Sequence, residues 1–202
     1  MTPVDASRVL VLRELLATSG WIERTSDFAR SLRTSTRSPG GLLLVGTPDS
    51  EPWHLAAHLD DESRFAGIPE LAPTLVRYAP PPGAPAHLAI TLRRLEAAGR
   101  GETVFVVAED DAPEQLLERA ADARRAGATI LSIDGGDAEL HSVAHESLTV
   151  VEADLVVPEI SFDSVQHLVS VAAGAPVPEA TAGARARLAR LLDRISGPAP
   201  SR

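Results

Sequence analysis

Two hydrophobic patterns alternate along this chain. Short, unbroken apolar runs such as Gly41-Leu-Leu-Leu-Val-Gly46 and Thr103-Val-Phe-Val-Val-Ala108 are bounded by glycine or acidic residues. Runs of that length read as strands buried on both faces of a parallel sheet. Between them, apolar residues recur at helical spacing. This predicts helices over residues 4–18, 21–32, 51–64, 87–98, 112–126, 161–173 and 179–195, with a shorter one at 138–146. The predicted strands are 41–46, 74–78, 103–108, 128–133 and a segment within 147–157. Strands that alternate with helices of about 12–15 residues form βαβ units. The expected fold is therefore α/β, a three-layer αβα sandwich on a mainly parallel five-stranded sheet of flavodoxin type. Its ligand cleft should lie beyond the carboxyl ends of the strands. The loops at 46–51, 108–113 and 134–137 then become the ones that matter. Residues 1–38 are expected to join the domain as N-terminal helices, 39–174 to form its body, and 175–202 to supply a linker, a last helix and a disordered tail.

The chain has 202 residues, enough for one full core. A net charge of −9 argues against nucleic acid or an anionic membrane as partner. With no Cys, disulfides, zinc–thiolate sites and thiol nucleophiles are excluded. All 19 basic residues are Arg, which removes Schiff-base chemistry and the P-loop lysine. Neither a signal core nor a run of roughly 20 apolar residues is visible, so a cytoplasmic protein is expected.

Two helices followed by Gly-Leu-Leu-Leu-Val-Gly-Thr-Pro-Asp-Ser-Glu-Pro-Trp-His-Leu-Ala-Ala-His-Leu form a recognisable line. It resembles the sugar isomerase (SIS) domain and, within it, the phosphoheptose isomerases, whose first strand runs into G-x-G-G-S and a helix with Q-H-x-A-A-E-L. Gly46 and Ser50 match the ends of that loop; His54, Ala56, Ala57 and Leu59 match the helix. Further similarity lies in Gly101-Glu-Thr-Val-Phe-Val-Val, in Ala123-Arg-Arg-Ala-Gly-Ala-Thr-Ile-Leu-Ser-Ile, and in Asp154-Leu-Val-Val-Pro158 leading to Val165-Gln166. The resemblance spans roughly residues 20–174. It implies a homodimer or homotetramer that takes a small sugar-derived ligand, an assembly the apolar rows of the first and last helices would also serve.

The departures are as informative. The family holds a substrate phosphate with a Ser/Thr-rich loop at a helix N-terminus, where free N–H groups and the helix dipole favour an anion. The matching loop here is Glu109-Asp110-Asp111, and the first loop carries Thr47, Pro48 and Asp49 in place of glycines. The carboxylates should repel a phosphate, and exchanging them for Ser or Thr should restore anion binding. Thr47, Asp49, Ser50, Glu109, Asp110 and Asp111 are the candidate ligand-binding residues. Asp111 could equally cap the helix that begins at 112. The loop at 134–137 reads as a turn that caps the next helix.

His54 and His58, spaced i, i+4, share a helix face and could hold a divalent metal or simply pack there. The family's acid/base glutamate corresponds to His58, its glutamine to Gln166, and its later histidine to Gly174. The resemblance thus implies His58 and His167 as candidate acid/base groups, and His54, His58 and Gln166, with His167 as an alternative third donor, as candidate zinc ligands. His141 and His145 repeat the spacing in a weakly patterned segment. Two functions remain open: a non-catalytic or altered ligand-binding or regulatory SIS protein, or an isomerase acting on a sugar phosphate.

Overall fold

In the computed structural model, residues 20–150 and 161–175 are described. The predicted helices at 4–18 and 179–195 and the segment 151–157 lie outside them. In chain order the elements are α1 (Trp21–Ser35), β1 (Leu42–Val45), α2 (Trp53–Ala66), β2 (Pro73–Val76), α3 (Arg93–Glu96), β3 (Thr103–Ala108), α4 (Glu114–Arg125), β4 (Thr129–Asp134), α5 (Ala138–Val143), β5 (Glu146–Thr149) and α6 (Phe162–Gly174). The five strands run parallel in the order β2-β1-β3-β4-β5. This is the doubly wound arrangement in which strand order reverses beside β1, opening a crevice at the carboxyl edge.

Side-chain alternation divides the core in two. Leu42 and Leu44 of β1, Phe105 and Val107 of β3, and Leu131 and Ile133 of β4 face one side, where α1, α2 and α6 cover them. Leu43, Val45, Val104, Val106 and Ile130 face the other, under α3, α4 and α5. Both sides of β1 and β3 are fully buried, which is why their sequences show no polar alternation. Phe28 of α1 meets Phe105 at 5.5 Å between ring centroids. Thr103 at the start of β3 donates to Ser35 Oγ and accepts from Thr36, which ties the end of α1 to the sheet.

One predicted helix is not continuous. Residues 87–98 resolve into a single 3₁₀ turn, Ala86–Leu88, and the one-turn α3. The Arg77 amide donates to Ile90 O at 2.8 Å, and Arg77 bridges Thr91 in parallel fashion. The chain at 90–91 is thus drawn into pairing beside the end of β2, and a helix cannot pass through it. The second strand ends at Val76, two residues short of its predicted end, and begins on Pro73, a position open to proline at a sheet edge.

Glycine sets the closeness of the carboxyl-edge loops at two points. A Cβ on Gly46 would run into Ser50 O, and one on Gly135 into Glu109 O. The first loop therefore folds back on itself, and the second and third loops touch.

A three-histidine cluster between two helices

The turn after β1 aims α2 along the face that α6 also covers. Leu55 and Leu59 of α2 and Val165, Val169 and Ala173 of α6 enter the same core. Anchoring these apolar rows turns the neighbouring stripes of the two helices toward each other. Ser161 starts α6 by accepting the amide of Ser164. The result is a small cavity lined by His54, Leu55, His58, Asp163, Gln166 and His167.

Three imidazoles meet there. Ring centroids are 4.7 Å apart for His54 and His58, 4.6 Å for His54 and His167, and 4.1 Å for His58 and His167. One nitrogen from each ring lies within 4.8 Å of the others. Nitrogens around a tetrahedral zinc at about 2.0–2.1 Å stand about 3.3 Å apart, so small side-chain rotations would close the set. His58 Nε2 and His167 Nδ1 are buried and without a hydrogen-bond partner. Buried polar atoms are normally paired, and two unpartnered ring nitrogens on residues that line one cavity fit a metal ion. Burial, reinforced by the charge of His54, lowers the His58 pKa against the opposing pull of Asp61. Burial also lowers that of His167, with His58 and His54 adding to it and Asp163 opposing. Both rings are thereby kept neutral, the state a metal ligand needs.

Gln166 lines the cavity but its Nε2 donates to Asp163 Oδ1 at 3.2 Å, while His167 supplies the third ring. Gly174 faces Glu62 of α2 so closely that any side chain there would displace it. The spacing of residues 54 and 58 exposed one half of the cluster. The other half depends on α2 lying against α6, which local spacing does not reveal.

The carboxyl-edge loops have largely used their own N–H groups. Thr47 and Ser50 exchange bonds, Thr47 N to Ser50 O at 3.1 Å and Ser50 N to Thr47 O at 3.3 Å. Asp49, Glu109, Asp110 and Asp111 are exposed. Asp111 does not cap α4. That helix has Pro113 at its N-cap with no side-chain bond. Instead Asp137 reaches across from the third loop: Oδ2 accepts Ala112 N at 2.8 Å, and Oδ1 accepts Glu139 N and Leu140 N. One internal carboxylate thus sits where two helix starts converge. This buried aspartate caps α5, as the 134–137 turn suggests, and also holds the amide of Ala112 just before α4, which adjacency in sequence could not show.

His141 and His145 separate. His141 Nε2 meets the buried Asp134 at 2.7 Å, and His145 Nδ1 accepts the Ile130 amide. Three residues absent from the sequence expectations also converge at the carboxyl edge. Glu51 Oε2 accepts both Trp53 Nε1 at 3.0 Å and Arg77 Nε at 2.9 Å, and the Arg77 guanidinium lies 4.6 Å from the Trp53 ring centre. Arg77 comes from β2's end and has no sequence link to the other two.

A parallel 2-1-3-4-5 sheet with this helical covering is the α/β fold of sugar isomerase domains. Solved structures with that fold match the chain over most of its length. They include the sugar isomerase domain of an RpiR transcription factor from Sphaerobacter thermophilus, at 15% identity, TM-score 0.54, covering 93% of this chain and 97% of that one. A protein assigned as a phosphosugar isomerase from Silicibacter pomeroyi DSS-3 matches at 16% identity and TM-score 0.51, over 94% of this chain and 52% of that one, so this chain spans about half its length. The Vibrio vulnificus NanR protein, solved with ManNAc-6P, matches at 11% identity and TM-score 0.51, over 93% of this chain and 67% of that one. Neither a protein-family model nor a curated protein sequence matches the chain.

Proposed function

We propose that this protein is a diverged SIS-type module that binds a sugar-derived ligand without isomerising a sugar phosphate, and that it carries a divalent metal, zinc being the best fit, on His54, His58 and His167. The observation that carries the reading is the convergence of the three rings on one cavity, with His58 Nε2 and His167 Nδ1 buried and without partners. Three imidazoles are a donor set suited to zinc. Bound there, the ion would tie α2 to α6 through the three imidazoles. His54 and His58 present their rings from one helix, His167 closes the set from the second, and Asp163 orients the Gln166 amide beside them.

The loops support the non-catalytic part. Amides of Thr47 and Ser50 are turned inward, Ala112 N is taken by Asp137, and Glu109, Asp110 and Asp111 place further negative charge at the same edge. A phosphate dianion would have to displace a carboxylate or approach three others. Calorimetry on chelator-treated protein tests the reading. Zinc should bind at one site per chain and raise the melting temperature, and H58A or H167A should abolish most of the affinity. Absence of any zinc-dependent shift at neutral pH would refute the metal centre.

One observation favours a second reading, an isomerase using His58 and His167 as acid and base: their rings lie 4.1 Å apart and are held neutral. Conversion of a sugar phosphate that is lost in both H58A and H167A would support it over the first.

A further inference from the structure

We propose that Trp53, Glu51 and Arg77 form a docking platform for the face of an uncharged sugar ring. The inference rests on the reading of this protein as a sugar-ligand binder and names the chemical class of that ligand.

Trp53 opens α2, immediately beyond the β1 loop, and remains 42% exposed. A large indole so exposed is ordinarily free to move, but this one is fixed twice. Its Nε1 is held by Glu51, and one ring face is covered by the Arg77 guanidinium. Arg77 is in turn fixed through Nε to the same Glu51 oxygen and through its backbone to Ile90. The Arg77 and Glu51 side chains are 15% and 14% exposed. Three planar groups are therefore rigid before any ligand arrives, so little ordering cost remains to be met on binding.

Their remaining valences define the ligand. Glu51 Oε1 is a spare acceptor, and Arg77 Nη1 and Nη2 are spare donors, with no partner among the described residues. The indole face that Arg77 leaves free matches the apolar C–H face of a pyranose, and the Glu51 carboxylate at its Nε1 edge offers an acceptor to the rim of hydroxyls, while Arg77 holds the indole in place from behind. The Arg77–Glu51 pair has no net charge, so it offers a dianion little attraction, and the acidic loop at 109–111 lies at the same carboxyl edge. A neutral ring suits the platform better than a phosphate ester.

Intrinsic fluorescence tests this directly, because the chain's second tryptophan, Trp21, is buried in the core and Trp53 is the exposed reporter. Methyl glucoside, galactoside and mannoside are titrated into the full chain, each beside its 6-phosphate. At least one neutral glycoside should give a saturable change, its 6-phosphate should bind no tighter, and W53A and R77M should each weaken binding at least tenfold. W53A should keep wild-type zinc affinity, which reports an intact fold and metal centre. Loss of zinc binding in wild type would thus strike the metal centre without touching the platform. Three results would overturn the platform: no saturable change with any glycoside, tighter binding of the esters that survives in R77M, or a Trp53 signal that depends only on protein concentration, which would mean a second copy of the chain covers the indole.

Discussion

His58 and His167 show how burial converts an ordinary side chain into a pH-dependent one. Both are harder to protonate in the fold than in the unfolded chain, where imidazole titrates near about 6.5. Below that value the unfolded state binds more protons, so stability falls as pH drops and levels off once the lowered folded pKa values are passed. Urea denaturation from about pH 7.5 to about pH 5.5 should show that loss, and H58N/H167N should flatten it. Zinc affinity should follow the same sign but weaken at a lower pH than for an exposed histidine pair, since protons compete less well. The acidic residues behave differently. Removing the charges at Glu109, Asp110 and Asp111 leaves the Asp137 carboxylate on Ala112 N, so a Ser/Thr exchange at the three positions should improve inorganic phosphate binding by less than about tenfold in calorimetry. An improvement near a hundredfold would show that those three charges alone exclude the anion. At this scale the i, i+4 pair was legible because both residues belong to one helix. His167 entered only as an alternative to Gln166, and Arg77 not at all, because each reaches its site from another element.

At the scale of elements, helix capping separates sequence reading from structure most cleanly. Asp111 is well placed in sequence to cap α4, yet Asp137 takes Ala112 N and also caps α5. D137A should therefore cost about 2–3 kcal/mol, combining a lost cap with a buried amide left unpaired, whereas D111A should stay within about 0.5 kcal/mol. Chemical denaturation of the two variants decides between the positions. Gly46 offers a second check. G46A should destabilise by about 1–3 kcal/mol, since its Cβ would meet Ser50 O and force the first loop open. The apolar runs of β1 and β3 predicted their strands correctly because two-sided burial leaves an unmistakable local trace. The helix expected at 87–98 failed because pairing of Thr91 with Arg77 overrides the local helical pattern, a competition decided by a segment more than ten residues away.

For the whole molecule, the parallel sheet in the order 2-1-3-4-5 gathers the loops after β1, β3 and β4 at one edge and sends α2 and α6 down one face. Phe65, on α2, is 84% exposed. We propose a homo-oligomer burying more than about 1,000 Å², with Phe65 in its interface. Light scattering should give at least a dimer at micromolar concentration, and F65D should shift it toward monomer; a wild-type monomer would remove the assembly. The sequence by itself determined the α/β class, the helix that carries His54 and His58, and a first loop with Thr47, Pro48 and Asp49 between Gly46 and Ser50. These are local properties, set by periodicity and residue type within one element. Tertiary structure decided that His167, of the two residues in view, stands with His54 and His58, that Asp137 rather than Asp111 holds Ala112 N, and that Arg77 lies on Trp53. Each depends on the relative placement of elements far apart in sequence, and that placement comes from burying two separate apolar faces of one sheet, which no single segment encodes.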